Sequence, residues 1–144
     1  MRMTPLTRTF IDSNILIYAF DESDSTKHFR ANQALLELWS EDAGAVSVQV
    51  LQEFYWNVTR KIRVPLAKSA AQKVIDHYAI WCGITSAQEV KSALRIESQA
   101  QISFWDALIV ASAIQCGATR ILSEDLNHGQ TIAGIEIVNP FLDL

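Results

Sequence analysis

Between Phe104 and Gln115 the segment FWDALIVASAIQ is apolar on nearly every side and carries one charged residue, Asp106. A helix of that composition has no polar face to offer water, so it is stable only when a domain covers it all round. Ser103 stands where an N-cap is expected, and Gly117 where a left-handed residue stops a helix. The cover must come from the flanking segments. Thr7–Ile11, Ala45–Ser47, Cys82–Thr85, Thr119–Ser123 and Ile135–Val138 are short and β-prone, and each reads as a strand. Between them, Asp24-Ser25 caps a helix with Ala31, Ala34, Leu35 and Leu38 on one face. Gly44 breaks the chain, and Ser47 then caps a helix with the stripe Val48, Leu51, Tyr55, Val58 and Ile62, ending before Pro65. Another helix carries Ala67, Ala70, Ala71, Val74, Ile75 and Tyr78, and Ser86-Ala-Gln-Glu89 is a capping box that opens the next. Strands alternating with helices predict an α/β fold with a mostly parallel sheet of about five strands and helices on both faces.

The chain has 144 residues, 49% of them hydrophobic, with neither a linker-like stretch nor a repeat, so one domain spanning 1–144 is expected. A core of that size needs no disulfide or structural metal. Cys82 and Cys116 are far apart and His28, His77 and His128 are scattered, which excludes a zinc ribbon or finger. Any metal would therefore serve chemistry. The net charge of −4 argues against nucleic-acid binding through a broad basic face, so affinity for RNA would have to be local. Asp12, Asn14 and Asp21 interrupt the N-terminal apolar stretch, and no run approaches the ~18 apolar residues of a membrane span. A soluble cytoplasmic protein without membrane contact is expected.

In open parallel sheets, ligands gather outside the carboxyl ends of the strands. Four acids fall at such ends or where the next helix begins. Asp12 follows the first strand and Asp125 the Thr119–Ser123 strand, Asp106 sits in the first turn of the apolar helix, and Glu53 follows Ser47 by six residues. Each has an ordinary alternative. Asp12 and Asp125 suit turns or caps, Asp106 suits a Ser-x-x-Asp capping box, and Glu53, about 200° from Leu51 and in line with Gln49, Asn57 and Arg60, suits a solvated face. Those alternatives do not account for the common location. Clustered carboxylates repel, so they persist near neutral pH only with a proton or a divalent cation to compensate them. Oxygen donors without Cys or grouped His point to Mg²⁺ or Mn²⁺.

The segments Thr9-Phe-Ile-Asp12-Ser-Asn14, Ser47-Val-Gln-Val-Leu-Gln-Glu53-Phe, Ser103-Phe-Trp-Asp106-Ala-Leu-Ile and Leu122-Ser-Glu-Asp125-Leu resemble, in that order, the acidic motifs of PIN-domain ribonucleases, most closely VapC-type toxins of toxin–antitoxin pairs. The resemblance spans nearly the whole chain. It implies a three-layer sandwich, a divalent-metal-dependent endoribonuclease for single-stranded RNA, a homodimer and a cognate antitoxin. It also implies that Asp12, Glu53, Asp106 and Asp125 are both catalytic and metal-holding, with Asn14 and Ser123 in support. After Asp125 the family often has a further acid and an aromatic, where this chain has Leu126-Asn-His-Gly129. Of the adjacent pair Glu124 and Asp125, Asp125 shares strand parity with Ser123 and is preferred as the fourth acid. Arg60, Lys61 and Arg63 are candidate backbone contacts for RNA or a solvated helix end, while Trp56 and Trp105 are read as core residues rather than base-stacking ones.

Receiver-type and haloacid-dehalogenase-type domains also place acids at strand ends, but by analogy both need a later lysine, and the last lysine here is Lys91. The rival from another class is a PIN-like module without catalysis that binds RNA or protein.

Overall fold

In a computed structural model that describes residues 7–142, five strands form one sheet: β1 (Arg8–Ile11), β2 (Gly44–Ala45), β3 (Ala118–Leu122), β4 (Thr131–Ile132) and β5 (Ile135–Val138). The spatial order is β2-β1-β3-β5-β4, parallel throughout except for β4, which pairs antiparallel with β5. Residues 1–6 and 143–144 of the expected single domain lie outside the described residues. Among the described residues, six α-helices complete a three-layer α/β sandwich: α1 (Ser13–Tyr18), α2 (Ser25–Glu41), α3 (Val48–Val58), α4 (Lys68–Tyr78), α5 (Ala87–Ala100) and α6 (Phe104–Gln115). Among the described residues, no helix is long and apolar enough to cross a membrane.

The local signals act as their chemistry requires. The Ser47 and Ser103 side chains accept from the N–H groups of Val50 and Asp106, and Ser86 with Glu89 forms the reciprocal capping box. Gly117 follows α6 with φ of 74°. Phe10, Ile11, Ile121 and Ile137 are fully buried, as central parallel strands covered on both faces demand. Gly44 does more than break the chain. A Cβ at that position would stand 2.5 Å from the Trp81 ring, so glycine is what lets β2 pass beneath that indole.

The structure departs from the sequence reading at particular elements and side chains. Cys82–Thr85 is not a strand: Cys82 makes a single parallel bridge to Val46, and Ile84 is 89% exposed, so no apolar side chain anchors the segment. The second strand covers Gly44–Ala45, one residue earlier than expected, because Ser47 is committed to capping α3. Helix α1 and strand β4, with six and two residues, are too short to show a periodicity. Helix α3 ends at Val58 and buries Val50, Phe54 and Val58 rather than Val48, Leu51 and Tyr55. In α6, Trp105 is 65% exposed, because the first turn of the helix extends beyond its cover.

Candidate active site

Strand order places the site. From β1 the chain crosses to β2 on one side, and later returns to β3 on the other, so the carboxyl ends of β1 and β3 flank the point where the order reverses. Ile11 and Leu122 are register partners there, and the Asp12 N–H donates to the Leu122 carbonyl at 3.0 Å. That pairing sets Asp12 beside Ser123, although they are far apart in sequence.

Asp12 is 6% exposed and is also the N-cap of α1. Its Oδ1 accepts from the Ser13 N–H at 2.8 Å, and its Oδ2 accepts from the fully buried Ser123 hydroxyl at 2.7 Å and from Asn14 Nδ2 at 3.3 Å. Burial pushes its pKa up from 3.8 to about 6; the Ser123 and Ser13 bonds oppose that rise, and the charges of Asp125 and Asp106 add to it. Asn14 binds the site together. Its Nδ2 lies 3.1 Å from Asp125 Oδ2 and 3.4 Å from Ser123 Oγ, while its Oδ1 accepts from the Glu124 N–H at 3.1 Å. The Asp125 N–H in turn donates to Ser123 Oγ at 3.1 Å, which holds the turn after β3.

The adjacent acids after β3 diverge. Asp125 turns to Asn14, whereas Glu124 forms an ion pair with Lys27 of α2, whose Nζ also lies 5.0 Å from the centre of the Tyr18 ring and 5.6 Å from that of Phe141. The Glu124 bond and charge hold the Lys27 ammonium above its usual pKa. Lys27 escaped the sequence reading because nothing local in the first turn of α2 indicates a partner 97 residues away.

Glu53 is corrected. It does not lie on a solvated face opposite the buried stripe, because that stripe is Val50, Phe54 and Val58, whose centre is about 100° from Glu53. Glu53 is half-buried, and its Oε1 is out of water without a hydrogen-bond partner. Burial raises its pKa, as do the charges of Asp12, Asp125 and Asp106, while the nearby Gln49 amide opposes the rise. Asp106 lies in the first turn of α6, where only the Ser103 half of a capping box forms among the described residues: its N–H donates to Ser103 Oγ at 3.1 Å. Its carboxylate is left for the neighbouring acids.

Four carboxylates from four places in the chain therefore act on one another through their charge. Among the described residues, however, no three His, Cys, Asp or Glu side chains stand close enough together to enclose an ion. The donor chemistry still fits a hard divalent cation: the set is all oxygen, its central carboxylate is desolvated, and the buried Glu53 Oε1 has an unused lone pair.

Arg60, Lys61 and Arg63 are exposed beyond the end of α3, away from the acids' hydrogen-bond network. Trp56, nearly opposite the buried face of α3, is 52% exposed, and Trp105 beside Asp106 is 65% exposed, so neither is a core residue.

The PIN domain family profile matches residues 9–131. No curated protein matches the sequence. Among solved structures, VapBC2 from Rickettsia felis bound to a DNA fragment from their promoter is 20% identical, with a TM-score of 0.62 over 91% of this chain and 97% of that one. VapC20 from Mycobacterium tuberculosis, a sarcin–ricin loop cleaving toxin, is 18% identical, with a TM-score of 0.60 over 81% of this chain and 89% of that one. FitAB bound to the IR36 DNA fragment is 17% identical, with a TM-score of 0.68 over 92% and 95% of the two chains. At these identities the likeness is one of fold.

Proposed function

The chain belongs to the PIN domain family, and from that premise we propose that it is a Mg²⁺- or Mn²⁺-dependent endoribonuclease for single-stranded RNA, the toxin of a toxin–antitoxin pair. The observation that carries the reading is Asp12, at the point where strand order reverses, whose burial pushes its pKa up to about 6 and on which the charges of Asp125 and Asp106 also act, while all three charges act on Glu53. Those four carboxylates would hold the cation. When bound, such an ion lowers the pKa of a water and neutralises charge on phosphoryl and leaving oxygens.

The chain's own groups supply orientation. Ser123 and Ser13 fix the two oxygens of Asp12 by donating to them, so the carboxylate is held in one orientation. Asn14 couples Asp12 to Asp125 through one amide nitrogen and locks the turn through its oxygen. Lys27 draws Glu124 out of the cluster, which spares the site a fifth negative charge. The described hydrogen bonds contain no Ser–His or Cys–His pair of the kind nucleophilic catalysis needs, and a metal-held water requires none.

Two of the fold's neighbours were solved as VapBC2 and FitAB assemblies, which supports an antitoxin partner, while the homodimer rests on the family resemblance alone. Incubation of the purified chain with single-stranded RNA tests the reading. Cleavage should stop in chelator and return with Mn²⁺; cleavage that persists in chelator contradicts it.

A further inference from the structure

The side of α3 that carries Glu53 continues past the acids. Trp56 and Arg60 follow Glu53 by three and seven residues, which keeps all three within about 60° of one line along the helix. Arg60 lies just beyond the last helical residue, yet its guanidinium turns back over Trp56, 3.9 Å from the ring centre, and lies 5.9 Å from the centre of the Tyr55 ring. Its Nη1 is steadied by donating to Thr59 Oγ1 at 2.9 Å. The indole thus has a guanidinium over one face while half of its surface meets water.

Leaving a tryptophan so exposed forgoes a large hydrophobic gain, and the stacked arginine makes the patch unsuited to an ordinary apolar contact. The charge nearby narrows the occupant. Arg60, Lys61 and Arg63 place three cations within four residues of a chain whose net charge is −4, so this is a local positive spot on an acidic protein. An exposed aromatic with an arginine stacked on it, set among cations, is the combination by which proteins hold single strands: bases stack on the ring and phosphates meet the cations.

We propose that Trp56, with Arg60 stacked on it, is a base-stacking subsite for a nucleotide of single-stranded RNA flanking the one at the acids. This rests on the reading of the acids as a ribonuclease site and adds where the strand runs. The helix rises about 4.5 Å from Glu53 to Trp56 and about 10 Å to Arg60, so the platform serves a neighbouring nucleotide rather than the one being cut.

The test is fluorescence anisotropy with a short fluorescein-labelled single-stranded RNA and an abasic strand of the same length, in chelator so that neither is cut. Trp56→Ala should weaken binding of the base-bearing strand about tenfold, the loss expected for one stacked base, while Trp56→Phe retains most of it. The wild type should hold the abasic strand as weakly as Trp56→Ala does. Arg60→Ala should weaken binding and reduce its salt dependence by about one phosphate contact. Unchanged affinity of Trp56→Ala for the base-bearing strand overturns the proposal. So does a loss that comes with an altered oligomeric state in sedimentation velocity, which would assign the face to protein contact. A wild type that cleaves the strand with Mn²⁺ beside an unaffected Trp56→Ala removes the platform and leaves the nuclease reading intact. A wild type inert with Mn²⁺ whose Trp56→Ala variant still loses affinity removes the nuclease reading and keeps the subsite.

Discussion

Replacing the central acid by its amide should make the metal-free protein more stable while destroying its function. Asp12 is 6% exposed, and its pKa rises from 3.8 in the unfolded chain to about 6 in the folded one. The folded state therefore holds the proton more tightly, and stability is lost as pH rises through that window. Above about pH 6 the full penalty applies, about 3 kcal/mol at 1.36 kcal/mol per pKa unit. Asp12→Asn removes that charge. Its amide oxygen can still accept from the Ser123 hydroxyl and from Asn14 Nδ2, but its amide nitrogen then meets the Ser13 N–H donor to donor. That mismatch costs about 1 kcal/mol, so a net gain of roughly 2 kcal/mol is expected at pH 7.5. Near pH 4 the wild-type carboxyl is already protonated when folded, and the gain should vanish. Urea denaturation of both proteins in chelator at the two pH values measures this directly. An Asp12→Asn variant no more stable than wild type at pH 7.5, or equally advantaged at both pH values, would refute the reasoning. The same comparison bears on function, because a site that strains the empty fold is one that gains on binding a cation.

Three further outcomes follow from particular contacts. Gly44→Ala forces a methyl to within 2.5 Å of the Trp81 ring and should cost about 1–3 kcal/mol in urea denaturation; a loss under about 0.5 kcal/mol would mean that the indole moves freely. Ala133→Gly should raise stability by about 1 kcal/mol, because Ala133 holds φ of 50° in the turn between β4 and β5; an unchanged or lowered midpoint contradicts that strain. Lys27→Met leaves the largely buried Glu124 without its partner and should cost about 1–2 kcal/mol, between the values for exposed and buried pairs, whereas Lys27→Met with Glu124→Gln should recover most of the loss. A double variant no better than the single would show that the lysine acts through its packing on Tyr18 and Phe141.

What the sequence made legible was local chemistry. Ser47, Ser86 and Ser103 cap the helices they precede, Gly117 follows the apolar helix with positive φ, and Asp12, Asp106 and Asp125 stand at the element ends where their neighbours in sequence place them. What it left open depended on packing between distant segments. Helix α3 offers two apolar stripes, one through Val48, Leu51 and Tyr55 and one through Val50, Phe54 and Val58; the second is buried, with Phe54 against Phe20 at 5.6 Å between ring centres. That choice rotates Glu53 toward the acids and leaves Trp56 in water, and no pattern within the helix decides it. The Lys27–Glu124 pair is of the same kind, because it exists only once α2 and the turn after β3 lie side by side. Helix α1 hid for a different reason. Asp12-Ser-Asn14 reads as a strand end, and the six-residue helix it begins has too few turns for its apolar spacing to show.

The central claim is that the acids around Asp12 form one metal-dependent cleavage site, and single-turnover cleavage of single-stranded RNA in Mn²⁺ by wild type, Asp12→Asn, Asp106→Asn, Asp125→Asn and Glu124→Gln tests it most directly. With folding checked by circular dichroism, the account expects the first two variants to lose cleavage by about 10² or more, Asp125→Asn to be impaired, and Glu124→Gln, whose native partner is Lys27, to stay near wild type. A well-folded Asp12→Asn or Asp106→Asn that cuts at the wild-type rate would contradict it.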